Sequence, residues 1–201
     1  MMTPAEQLAD LLFDETAHLY MLAGKFVPGV TLVLERTGLI DYSFLGARRS
    51  YYLERGRKVH AATHADDEGN LDENGETPEI MGYVNGWRKF RRDYEFRPNR
   101  IEQRVCHRLH GYAGTLDRTG PVRDGSEIIL DIKSGIAPHA VRYQLAAYAA
   151  CLPHPRTRRR RCVELHADGT YRVIPFETAS YQQDFDTFRF ALQLFKRMEA
   201  T

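Results

Sequence analysis

The spacing of apolar residues changes period part-way along the chain. From Pro4 to Leu22 the leucines Leu8, Leu11, Leu12, Leu19 and Leu22 recur at helical intervals. Thr3 stands at an N-cap position, Pro4 at the first helical position, Glu6 at the capping-box position and Gly24 past the end, so the stretch predicts a helix. Val30 to Leu34 is a short apolar run that suits a strand or a helix equally. Arg48 to Asp67 reads as a helix. Beyond an acidic loop, Asp66 to Glu76, Pro78 opens another helix to about Asp93, with Met81, Val84, Trp87 and Phe90 at three-residue intervals.

The period then shortens. Phe96 to His107, Tyr112 to Leu116 and Ile128-Ile129-Leu130 read as strands, the last two joined by a turn at Thr119 to Ser126 that contains Gly120, Pro121 and Gly125. A helix over Ala140 to Leu152 follows, then a strand over Cys162 to His166 and an Asp168-Gly169 turn into a strand over Tyr171 to Ile174. A last helix, Thr178 to Met198, carries Phe185, Phe188, Leu192 and Phe195. With no repeat and no low-complexity linker, the pattern predicts one α/β domain over residues 1–201. Its parts are a helical N-terminal region (1–95), a core with a mixed sheet of four to five strands (96–176) and a C-terminal helix (177–201).

Chemistry collects where the strands end. Asp131 and Lys133 are two apart and share a strand face, and Asp117 ends the preceding strand. Two carboxylates held close repel, and burying either one uncompensated is costly. A hard divalent cation answers both problems and leaves positions open for water and a phosphate oxygen. A D-x-K alone is an ordinary strand-end salt bridge, so the neighbours decide. Gln144 and Tyr148 lie one turn apart on a helix and both donate and accept hydrogen bonds. His60 and His64 share a helix face, but Ala61 stands where a metalloprotease needs Glu. The acidic loop fails as an EF-hand, with Asn70 first and Met81 in place of the twelfth-position Glu.

Taken in order, G-T-L-D-R at Gly114 to Arg118, D-I-K-S-G at Asp131 to Gly135 and Q-L-A-A-Y at Gln144 to Tyr148 resemble the PD-(D/E)XK nuclease superfamily. The resemblance is to its RecB-type branch, which includes phage recombination exonucleases and CRISPR-adaptation nucleases. It implies a restriction-endonuclease-like core, and it favours a short helix at Val30 ending at Gly38. It further implies that Asp117, Asp131, the Ile132 carbonyl and His60, which follows an Arg55-Gly56 pair, hold Mg²⁺ or Mn²⁺. Lys133 would activate or position water, with Gln144 and Tyr148 supporting the site. Glu102 matches a Glu that often precedes the G-x-x-D strand, and stands either near the metal or paired with an Arg on a sheet face. Leu116 occupies the position of the superfamily's Pro.

The activity implied is phosphodiester hydrolysis in DNA, as an exonuclease resecting duplex ends for a single-strand annealing partner. An endonuclease, a non-catalytic DNA-binding module, and a hydrolase using a His60/His64 metal pair are the alternatives. A homo-oligomer is compatible with each.

Bulk properties narrow the setting. The net charge of +1 on 201 residues leaves DNA contact to local patches. The basic stretches are Arg156 with Arg158, Arg159, Arg160 and Arg161 in a Pro-flanked loop, and Arg88, Lys89, Arg91 and Arg92 on one helix face; each also reads as solvated surface. No apolar run approaches the ~20 residues of a membrane span, and the acidic N-terminus lacks the form of a signal peptide. Cys106, Cys151 and Cys162 make no CxxC pair, so no iron–sulfur cluster is expected, and a reducing cytoplasm fits.

Overall fold

The computed structural model describes residues 9–17 and 19–200. Its centre is a five-stranded sheet of β4 (Arg100–His107), β5 (Tyr112–Pro121), β6 (Glu127–Lys133), β7 (Arg159–Leu165) and β8 (Tyr171–Phe176), hydrogen-bonded in that order. β4, β5 and β6 form an antiparallel meander, β7 and β8 are antiparallel, and β6 and β7 are parallel. A parallel neighbour needs a crossover helix, and this one is Val141–Ala150. The sheet is therefore mixed and the class α/β.

Helices cover both faces. In chain order they are α1 (Val30–Arg36), α2 (Arg49–Glu68), α3 (Pro78–Tyr94), α4 (Val141–Ala150) and α5 (Tyr181–Met198). On one face Val33 and Leu34 of α1, Leu145 and Ala146 of α4, and Phe188 and Leu192 of α5 pack on Tyr112, Leu116 and Ile129. On the other, Val59 of α2 and Val84, Trp87 and Phe90 of α3 pack on Ile128, Leu130, Ile132 and Val163. β6 feeds both layers by strict alternation, which is why it reads as a continuous apolar run. α3 begins as its residues dictate, with Pro78 in the first turn and Thr77 Oγ1 accepting from Ile80 N at 3.3 Å.

The helix expected over Pro4 to Leu22 is not formed in its described part. Leu11–Asp14 (β1), Leu19–Leu22 (β2) and Lys25–Val27 (β3) make a three-stranded antiparallel sheet, with Leu11 opposite Leu22. Asp14 Oδ1 accepts from Thr16 N and Ala17 N at 2.9 Å each, so the residues that would have continued a helix form a turn. Leu11, Tyr20 and Leu22 face inward, leaving Leu12 and Leu19 exposed, and a period of two replaces the apparent helical one. Thr3, Pro4, Glu6 and Leu8 lie outside the described residues. The run at Val30 resolves to α1, after which Gly38 adopts φ +75 and Ile40 N bonds Leu34 O at 3.0 Å.

Candidate metal centre

The site grows from a break in strand alternation. Leu116 enters the core beneath α4, whereas Arg118, two residues on, points to α2 and α3; its guanidinium lies over the Trp87 ring. Residues two apart on a strand should share a face, so β5 is turned at Asp117. Glu102 is the residue of β4 that register sets opposite Asp117, and it has φ +46, a left-handed conformation that L-residues other than Asn and Asp rarely adopt. On the other side β5 and β6 are paired from Arg118↔Leu130 to Pro121↔Glu127 and part beyond it. The freed Ile132 N–H donates instead to Asp117 Oδ2 at 2.6 Å.

Into this fork α2 presents His60. Its Nε2 lies 3.0 Å from the Ile132 carbonyl oxygen, while Nδ1 faces Glu102 at 3.5 Å and Asp117 at 3.9 Å. One donor atom from each of His60, Glu102 and Asp117 falls within 4.8 Å of the others. Burial drives the Asp117 carboxyl up to about 6, and the charges of Asp131 and Glu102 push the same way against His60. Burial alone would lower His60, but Asp117 and the Glu102 hydrogen bond outweigh it and raise the imidazole to about 9. Burial would raise Glu102, yet His60 and Arg118 hold it below its ordinary value. The imidazolium is thus the cation holding two carboxylates together.

The D-x-K residues lie beside this group. Asp131 is fully buried; Lys133 Nζ reaches its Oδ2 at 2.7 Å, and the Cys162 Sγ lies 3.8 Å from the same oxygen. Burial would lower Lys133, but Asp131 and Asp117 raise it well above a free lysine, so it is protonated at any pH of interest. Asp131 is not one of the three converging ligands, its carboxylate being turned to Lys133.

Gln144 and Tyr148 meet as expected on α4. Gln144 Nε2 donates to Tyr148 Oη at 3.3 Å and Thr31 Oγ1 at 3.2 Å, and burial raises the Tyr148 phenol. Gly114 is required here, because a Cβ would stand 2.5 Å from Tyr148 Cε1. The G-x-x-D spacing therefore seats the tyrosine ring and delivers Asp117 in one strand.

Arg118 ties Glu102 and Asp117 to the helices. Its guanidinium donates to Glu102 Oε1 at 3.0 Å, to the Asp117 carbonyl at 2.7 Å and to Asp67 Oδ2 at 2.6 Å. Asp67 also accepts from Trp87 Nε1 at 2.9 Å and pairs with Arg91 at 2.9 Å. Of the two readings left open for Glu102, the pairing with an arginine is formed, and the same carboxylate lies in the group with His60 and Asp117. Hairpin arithmetic could have placed it, since a turn setting His107 against Tyr112 puts Glu102 across from Asp117. No comparable signal marks Asp67.

Other residues singled out from the sequence lie apart. His64 faces Glu68 at 3.2 Å and is not among the converging ligands, which removes the basis for a His60/His64 metal pair. Arg88 is paired with Asp66 and Glu73, and Arg91 with Asp66 and Asp67. The arginine run is not one loop, since β7 begins at Arg159. Arg160 is fully buried against Asp184 at 2.8 Å, because strand alternation turns it inward under α5; it is unavailable to DNA. Arg159 pairs with Asp124 at 2.7 Å and Arg158 donates to the Pro153 carbonyl at 2.9 Å, leaving Arg156 exposed and Arg161 half-buried.

Neither a scan of protein-family models nor a search of curated proteins returns a match to this chain. No helix among the described residues is long and apolar enough to cross a membrane.

Proposed function

We propose that this protein is a divalent-metal-dependent deoxyribonuclease with a restriction-endonuclease-like core, similar to the RecB-type branch of the PD-(D/E)XK superfamily. One observation carries the reading. Two carboxylates and an imidazole converge at the point where β5 and β6 separate, and a Lys–Asp pair stands one step along β6. These carboxylates are balanced only while His60 keeps its proton, a charge that a metal ion would replace.

The donor set fits Mg²⁺ or Mn²⁺. His60, Glu102 and Asp117 would hold the ion. The Ile132 carbonyl, expected as a ligand, instead faces His60 Nε2 across the ring from Nδ1 and would accept its N–H to orient the imidazole. Asp131 acts on its neighbours by charge. A bound ion supplies a Lewis acid and a water acidified to near neutrality. The protein's own parts then have separate tasks. His60 gives up its proton to act as ligand. Lys133, held protonated by Asp131, offers a cation to the charge growing on the phosphate and does not serve as a base. Asp117 fixes the β6 backbone through Ile132 N, so the ligand and Lys133 are positioned by the same strand. Gln144 and Tyr148 hold α4 against Gly114 behind the site.

Exonuclease action on duplex ends, with a single-strand annealing protein as partner, extends the same resemblance by analogy. The test is a time course with end-labelled linear duplex beside closed circular DNA in Mg²⁺ or Mn²⁺, for the parent and Lys133→Ala. Metal-dependent loss of the linear substrate, with the circle intact and the variant inactive, is expected. No cleavage of either DNA by the parent contradicts the proposal.

A further inference from the structure

The arginines that the sequence marks for DNA are largely engaged within the fold, and the free ones lie elsewhere. The side chains of Arg48, Arg49 and Arg57 are exposed and make no ion pair or hydrogen bond among the described residues. All three belong to the N-terminal half of α2 or its entry, where residues 48–58 carry five basic side chains against Glu54 alone. The last turn of α2 is the reverse, with Asp66, Asp67 and Glu68. A helix is stabilised by acids at its start and bases at its end. α2 has its charges in the unfavourable order, so its basic end answers to something other than helix stability.

That end leads to the metal centre. Arg49, Leu53, Gly56, Arg57 and His60 are spaced four, three, one and three residues apart and share one side of α2. Leu53 is exposed, and a Cβ on Gly56 would reach Ser134 Oγ at 3.8 Å, so the helix runs close past the residue after Lys133. The guanidinium of Arg55, on the neighbouring face, donates to the Ser134 carbonyl and lies 4.8 Å from the Tyr52 ring and 5.5 Å from that of Tyr83. This clamp fixes the track to the catalytic strand.

We propose that this side of α2 is the track on which the phosphate backbone of a DNA strand reaches the metal centre, Arg57 and Arg49 each taking one phosphate. The two are about 12 Å apart along the helix axis, and Arg57 stands about 4.5 Å beyond the level of His60. Leu53 between them carries no charge and is exposed. Two unpaired cations on the side of the helix that bears His60 fit a polyanion delivered to a cation site. A lipid surface would call for more apolar area than Leu53 alone. The inference rests on the nuclease reading of the centre.

The test is anisotropy of short labelled single-stranded and duplex DNA in Ca²⁺, across a salt series, for the parent, Arg49→Ser/Arg57→Ser and Arg156→Ser/Arg159→Ser. Loss of two phosphate contacts should flatten the log–log salt slope by about 1.4 for a single strand or 1.8 for a duplex. In Mn²⁺ the same variant should show KM raised about tenfold with kcat retained, as for uniform binding. The control pair should leave slope and KM unchanged. An unchanged slope in Arg49→Ser/Arg57→Ser, with its melting temperature intact, overturns the track. Binding with the expected slopes but no cleavage by the parent in Mn²⁺ keeps the track and removes the nuclease reading instead.

Discussion

Two groups of buried charge lie on opposite sides of the sheet and are built on opposite rules. Under α5, the Asp184 carboxylate receives Arg160 at 2.8 Å, Arg142 at 2.6 Å and Ser180 Oγ at 2.9 Å, and Arg160 also donates to the carbonyls of Arg142 and Glu177. One anion meets two cations and a hydroxyl, and the arrangement is complete. At the fork of β5 and β6, Arg118 meets Glu102, Lys133 meets Asp131, and a histidine that must stay protonated to balance the charges lies between Glu102 and Asp117. Burial, with Asp131 and Glu102 beside it, drives Asp117 up. The first cluster holds the fold together. The second is balanced only while His60 keeps its proton, whose place a divalent ion would take.

The sharpest break between the two is a substitution in each. Lys133→Ala should reduce DNA cleavage by about 10³-fold, the scale for losing a preorganised charge donor. It also leaves the buried Asp131 unpaired, so melting temperature should fall in the metal-free protein and recover when Mn²⁺ is added. Steady-state rates and a thermal scan with and without Mn²⁺ report both effects; activity within a few-fold of the parent would remove Lys133 from the chemistry. Asp184→Ala should instead cost about 3–5 kcal/mol by stranding Arg160, and Mn²⁺ should stabilise it only as much as it stabilises the parent. Denaturant titration with and without Mn²⁺ reads this directly, and a metal-dependent gain larger than the parent's would erase the distinction drawn between the clusters.

A smaller effect is expected from pH. To act as ligands, His60 must lose the proton it holds up to about 9 and Asp117 the one it holds up to about 6. Mn²⁺ affinity should therefore rise by about one decade per pH unit between 6 and 9, and more steeply below 6, as binding displaces protons. Without metal, the His60 contribution to stability is present below 6.5 and is lost as pH rises through about 9. That of Asp117 is present below 3.8 and lost as pH rises through about 6, so the metal-free protein weakens in two successive steps, through Asp117 and then through His60. Calorimetry in buffers of different ionisation enthalpy counts the released protons; none released at pH 7 would contradict the assignment of His60.

Much of the centre was legible because its residues obey short-range rules. Asp131 and Lys133 share a face by strand period, Gln144 and Tyr148 by helix period, and Gly114 to Asp117 sit in one strand. α3 announced itself through Thr77 and Pro78. The rest depended on long-range pairing or on which way a strand faces. Glu102 reaches His60 and Asp117 only through its register with Asp117 and its left-handed backbone. Arg160 looked like one more loop cation, and a single inward turn of β7 made it structural. The leucines of the first strands fit a helical template by coincidence, since Leu11 and Leu22 are cross-strand partners. The free arginines of α2 were hidden because Arg48, Arg49 and Arg57 do not form a run.

The central claim, that His60, Glu102 and Asp117 form a divalent-cation centre, is tested most directly by titrating Mn²⁺ into the metal-free protein by calorimetry. The parent should bind at a single site with proton release. Glu102→Gln/Asp117→Asn should lose that binding and its proton release. Arg142→Met, at the compensated cluster, should bind as the parent does. Equal Mn²⁺ binding by the parent and Glu102→Gln/Asp117→Asn would contradict the account.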